Sequence, residues 1–215
     1  MSSVKLVHSS GNSMSIEAPA TNPASDLALK LPATVCTAGQ FLRNSSTAGT
    51  LEFGNPALTV VDKWKVTSSF SGTTDPIASN WSRVQKGGSG SEIGVPVGTG
   101  MTESSGIFTF PSTGKWWVIF KADINHSDEV DYIEAIIKTT HNNGTNWDRR
   151  AFGYGNIFNG GGSTWTSAQS DCVLDIEDLS NDKVSFRMSQ ETSCQTYGNT
   201  SDDNTTAMFI RLGDT

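Results

Sequence analysis

The 215-residue chain is long enough for one large β domain, or a medium domain with a small appendage, and a core of that size needs no disulfide or metal staple. Charged residues make up only 17% of it and the net charge is -7, so neither the high charge of a disordered chain nor the basic surface of a nucleic-acid binder is present. The longest apolar run, Trp116-Trp117-Val118-Ile119-Phe120, is far too short to span a bilayer as a helix, and Met1-Ser2-Ser3-Val4-Lys5 leads into polar sequence with no secretory leader expected.

Residues 1–55 carry mostly small side chains, with Phe41 and Phe53 their only aromatics. A segment this thin in apolar mass builds no core of its own. It is expected to be a β-rich attachment or shaft segment, ordered by wrapping around copies of itself. Residues 56–64 read as a linker and residues 65–215 as the main domain; all six Trp lie from Trp64 onward. Lys86-Gly87-Gly88-Ser89-Gly90-Ser91 reads as an exposed loop.

From there apolar residues recur at period two rather than 3.6. Trp116, Val118, Phe120, Ala122 and Ile124 alternate with Trp117, Ile119, Lys121 and Asp123. Ile133, Ala135 and Ile137 follow the same pattern, as do Val184, Phe186 and Met188, and then Ala207 and Phe209. Turn-formers bound these runs at Pro111-Ser112-Thr113-Gly114, Asn142-Asn143-Gly144 and Ser180-Asn181-Asp182. Short alternating strands at regular spacing predict an all-β sandwich or barrel. Heptads are absent, so a coiled coil is excluded as the means of assembly.

Two stretches resemble known families. Leu29-Lys30-Leu31-Pro32, then Ala38-Gly39-Gln40-Phe41-Leu42 and Gly49-Thr50-Leu51-Glu52-Phe53, preceded by the run from Leu6 to Pro19, is similar to the N-terminal module of virion structural proteins of tailed phages, especially marine cyanophages. Gly106-Ile107-Phe108-Thr109-Phe110-Pro111-Ser112-Thr113-Gly114-Lys115-Trp116 resembles the hairpin of the trimeric jelly roll of the complement and tumour necrosis factor superfamily. Asp182–Phe186 and the closing strand Thr206–Leu212 extend that resemblance. It implies an antiparallel jelly-roll sandwich that packs as a homotrimer about a three-fold axis. The residues independently fit a hairpin there, with Pro111 lacking a ladder donor and Gly114 free in the turn.

Candidate sites are few. Asp123, Asn125 and Asp128 fall in the richest acidic stretch, and Asp123, Asn125, Ser127 and Glu134 mimic the spacing of a calcium loop, although Asp128 stands where that loop needs Gly. No cofactor is expected, calcium being the one candidate, and the competing reading is a solvated loop. Trp147, Arg149 and Tyr154 lie in a stretch mixing aromatics, amides and glycines, suited to glycan or protein-surface binding or to packing in the core or a subunit interface. Asp175, Glu177 and Asp178 offer the carboxylates that glycoside hydrolysis requires, but the solvated end of a strand accounts for them. His8, His126 and His141 are scattered, without metal spacing or a catalytic triad. Cys36, Cys172 and Cys194 contain no CxxC; Cys172 reads as a buried thiol, with a bridge to Cys194 left open.

The expectation is a non-enzymatic structural protein on the exterior of a phage virion, made in the host cytoplasm. It would be a homotrimeric fibre or spike protomer joined to other virion proteins through its N-terminal segment and contributing to attachment at a host surface glycan or protein. The alternatives are a capsid decoration protein, a glycan-binding module and a polysaccharide depolymerase.

Overall fold

The computed structural model describes residues 3–7, 11, 13–17, 29–54, 58–84, 96–158, 162–191 and 193–215. The chain divides into two compact units, Met1–Pro56 and Ala57–Thr215. Every helix-or-strand element among the described residues is a strand. The loop expected at Lys86–Ser91 lies outside the described residues, as do His8 and the Asn159–Gly161 part of the aromatic stretch.

The first unit holds two antiparallel pairs: β1 (Ser3–Val7) with β2 (Ser13–Glu17), and β3 (Phe41–Asn44) with β4 (Leu51–Gly54). Lys30 bridges to the second pair, donating its backbone N–H to Gly49 O and accepting from Leu51 N, both at 2.8 Å. Among residues 29–54 no large hydrophobic side chain is buried. Leu29, Leu31, Phe41 and Leu42 are exposed, and Val35 is 90% exposed.

The second unit is a two-sheet sandwich. Its strands are β5 (Val61–Val66), β6 (Phe70–Ser71), β7 (Trp81–Arg83), β8 (Thr102–Ser104), β9 (Ile107–Thr109), β10 (Gly114–His126), β11 (Val130–Thr140), β12 (Asp148–Ile157), β13 (Thr164–Ile176), β14 (Lys183–Gln190), β15 (Gln195–Thr196) and β16 (Thr206–Gly213). One sheet centres on β10, which takes β13 along one edge and β16 and β15 along the other; β16 continues to β5 and β7, and β15 to β6. The facing sheet runs β12-β11-β14-β9-β8. Every strand pairing is antiparallel, and the chain passes repeatedly from one sheet to the other, which makes the architecture a jelly roll.

The period-two patterns fix which faces meet. Trp116, Val118, Phe120, Ala122 and Ile124 are fully buried, opposite Ile133, Ala135, Ile137, Val184, Phe186 and Met188 from the other sheet. Rings interlock at the centre. Phe108 lies 5.4 Å from Phe186 and 5.3 Å from Phe209, while Trp64 and Trp81 stand edge-on to it. Each such buried ring contributes roughly 1.5–3 kcal/mol from area removed from water.

Two expectations are corrected. The linker reading of 56–64 fails at its end, because β5 starts at Val61 and Asp62 is wholly buried. A charged residue in a core position hid the strand from the alternation rule. The segment around Pro111 is not a hairpin: β9 pairs with β8 and β14 in one sheet, whereas β10 belongs to the other. Phe110 drops into the core against Trp116, centroids 5.2 Å apart, and so turns the chain across the sandwich. Gly114 completes this corner at φ +133°, where an added Cβ would sit 2.3 Å from Gly213 O.

Candidate binding surfaces

The outer face of the β10 sheet carries an unbroken apolar row. Direct cross-strand partners place Val173, Trp117, Ile210 and Val61 side by side, and Val61 bridges to Val97. Partners in register present their side chains on one face. Val173 is 52% exposed and Val97 45%, with Trp117 between them also exposed and Ile119 and Met208 half-buried in the next row. Ion pairs flank the row: Lys63 with Asp203 at 2.8 Å, Lys121 with Asp123 at 2.9 Å, and Lys115 with Asp175. Trp117 also donates its indole N–H to Asp171 Oδ2 at 3.0 Å. An apolar centre inside a charged rim is the anatomy of a subunit interface.

The second surface is the outer face of β11 and β12. Register sets Tyr154 opposite Glu134 and Phe152 opposite Ile136. Tyr154 is 63% exposed and stands edge-on to Phe152 at 5.1 Å. The Arg149 guanidinium lies over the Phe152 ring, 3.6 Å from its centroid, and donates from Nη2 to Glu134 Oε1 at 2.8 Å. Arg149 and Tyr154 therefore share one patch through Phe152. Trp147 lies beside Gly144 in the turn before β12, seven residues from Tyr154 and so about 23 Å from it along an extended chain.

The inward face of β12 explains the glycines of this stretch. Gly153 and Gly155 lie against β13 of the other sheet, and a Cβ on Gly153 would fall 1.7 Å from Gln169 O. The sheets' edge strands approach this closely only because no side chain intervenes.

The proposed calcium residues are dispersed. Asp123 and Asn125 lie on the outer side of β10, Asp128 in the turn that follows, and Glu134 on the outer side of the opposite sheet. The loop spacing is thus laid across two sheets. Asp123 is engaged by Lys121 and by Ser167 Oγ at 2.6 Å, and Asn125 donates to Ser163 Oγ at 2.6 Å and Thr164 O at 3.0 Å. Asp128 donates its backbone N–H to His126 Nδ1 at 3.0 Å. Among the described residues no group of three or more His, Cys, Asp or Glu is placed to hold a metal ion.

Asp182 is the residue that the sequence pattern missed, reading it only as a turn-former. Its carboxylate is almost wholly buried. Oδ2 accepts the backbone N–H groups of Glu177 and Asp178 at 3.0 and 2.9 Å, and Oδ1 pairs with His141 Nδ1 at 2.8 Å. Burial alone would raise its pKa, but the Asp178 N–H, the His141 ring and the Glu177 N–H together hold it below the ordinary carboxylate value. Asp175, next to the last residue of β13, forms an ion pair with Lys115, while Glu177 and Asp178 enter the turn that Asp182 organises. All three cysteines are free thiols. Burial pushes the Cys172 thiol up to about 11, outweighing the nearby Arg150 cation.

No family model and no curated protein matches the chain. Among solved structures it is similar to Eiger TNF from S. frugiperda, with a TM-score of 0.55 at 11% identity over 73% of this chain and 94% of that one. It is also similar to murine APRIL at pH 5.0, with a TM-score of 0.49 at 12% identity over 71% and 98%. The first likeness and the strand order define the class: an all-β, TNF-like antiparallel jelly-roll sandwich.

Proposed function

We propose that the chain is a non-enzymatic structural protein of a phage particle, a homotrimeric fibre or spike protomer that contributes to attachment at the host surface. The observation that carries the assembly is the continuous row Val173-Trp117-Ile210-Val61-Val97 across the outer face of the β10 sheet. A second copy is its natural cover, and a head-to-tail contact that closes after three copies leaves no row exposed. The exposed apolar side chains at Leu29, Leu31 and Val35 ask for the same treatment in the first unit. The jelly-roll fold and the phage-like pattern from Leu29 to Phe53 support the reading. Three copies on one rigid head turn weak host contacts into strong adsorption through effective concentration.

Light scattering on the purified full chain tests the assembly. A mass of about three times the 23.0 kDa of one chain is expected, and a 23.0 kDa species at micromolar concentration overturns it. Tracing this chain in images of the purified particle tests the virion role; its absence from the particle overturns that part alone.

A second reading, a glycan-recognition head, is favoured by the exposed Phe152–Tyr154 pair with Arg149 stacked on it. Adsorption of the Tyr154→Ala chain to host cells tests it, since unchanged adsorption removes this face from recognition.

A further inference from the structure

At one end of the sandwich, where β11 ends and β12 begins, a cavity of about 360 Å³ opens over the ends of β13 and β14. That volume lies at the low end of the roughly 300–1,000 Å³ of ligand pockets and suits a small ring rather than an extended chain. Its lining is balanced in charge. Arg149, Arg150 and Lys183 face Asp148, Asp175 and Asp182.

Several of these groups are already committed. Asp182 is held by His141 and two backbone N–H groups, Asp175 by Lys115, Arg149 by Glu134, and Lys183 donates to Leu179 O. Two are not: no hydrogen bond or ion pair joins the Asp148 or Arg150 side chain to another described residue, and both residues are exposed. Leu174 and Ile176, nearly buried, supply an apolar strip in the same wall.

We infer that this cavity seats a neutral, hydroxyl-rich ring, a monosaccharide unit of a host-surface glycan. A free carboxylate accepts from sugar hydroxyls and a free guanidinium donates to them, which matches vicinal hydroxyls that do both. The apolar strip covers the C–H face of the ring. Equal opposing charges in an acidic chain disfavour an anion, and the six charged groups disfavour an apolar ligand. His141 and Asp182 act as positioning residues: their bond fixes the wall on which the other groups stand. The inference rests on the attachment reading for its biological sense, but the cavity is built within one chain, so assembly and sugar binding succeed or fail separately.

The test is saturation-transfer NMR and titration calorimetry on the full chain. The probes are D-glucose, D-galactose, D-mannose, L-rhamnose and N-acetyl-D-glucosamine, with inorganic phosphate as the anion. At least one sugar binds with a Kd on the order of 1 mM. Arg150→Ala and Asp148→Ala each weaken it about ten-fold, as loss of a hydrogen bond to a charged group does, and Tyr154→Ala leaves it unchanged. Both cavity substitutions remove exposed side chains, and circular dichroism checks that the fold persists. Binding of none of the five sugars, tighter binding of phosphate, or loss of sugar binding in Tyr154→Ala instead of the cavity variants overturns the inference; a trimeric mass in the same samples leaves the assembly reading standing.

Discussion

The carboxylate of Asp62, wholly buried beneath the edge of the sandwich, accepts a hydrogen bond at 2.9 Å from Nε of Arg83. The indole of Trp64 and the backbone N–H of Met101 complete its shell at 2.9 and 2.7 Å, and Arg83 returns across the Trp64 ring and to Met101 O. One buried charge thereby ties β5 and β7 to the segment before β8. Removing one partner of such a pair strands the other. Asp62→Ala is expected to lower the unfolding free energy by about 3–5 kcal/mol, measured by urea denaturation.

Gly153 and Gly155 make a graded pair. Gly153→Ala drives a methyl into Gln169 O and is expected to separate β12 from β13, with a fall in Tm well beyond that of an ordinary surface substitution. Gly155→Ala meets Ser167 O at 3.3 Å, so a small shift accommodates it and the cost is about 1 kcal/mol. Differential scanning fluorimetry on the two variants checks the ranking.

Trp117 is the largest side chain of the apolar row and is 38% exposed, outside the buried core. Trp117→Glu is therefore expected to reduce the mass in light scattering to that of one chain while leaving the circular dichroism spectrum intact. Retention of the assembled mass would show that the row is not the contact.

Asp182 gives the head an acid-sensitive element. Its folded pKa lies below the unfolded value of roughly 3.9, so its contribution is complete above that pH and is lost as pH falls through the folded value. Asp182→Asn is expected to destabilise by about 2 kcal/mol at pH 7. The gap between it and the wild type should narrow below pH 4 in parallel urea titrations.

The thiols are expected to separate by reactivity. Cys36 is exposed, Cys172 is half-buried with its pKa near 11, and Cys194 is buried with its pKa raised by that burial. At pH 8 only about one Cys172 in a thousand is thiolate. Iodoacetamide followed by peptide mass spectrometry should label Cys36 first and Cys194 last.

The long central strands were legible because both of their faces speak. Trp116 to Ile124 alternate cleanly with partly solvated neighbours, and the buried set is the one that the alternation names. Where one residue breaks the rule, the reading stopped: Asp62 concealed β5, and Phe110 turned an apparent hairpin into a crossing between sheets. Sites were harder, because they depend on strands distant in sequence. Nothing local in Asp148, Arg150 and Asp182 signals that the ends of β12 and β14, separated in their sheet by β11, bring them to one cavity, and nothing in the calcium-like spacing reveals that Asp123 and Glu134 belong to opposite sheets.

The placement of β16 sets the order of events in synthesis. It lies between β10 and β5, with Phe209 registered against both Val118 and Asp62. Until residue 210 leaves the ribosome, the sheet has a gap at its middle and two bare strand edges beside it. Closure is accordingly a late, long-range step, slow by the nature of its connectivity. Neighbouring nascent chains, equally unfinished, are the species most apt to pair with those edges in the meantime.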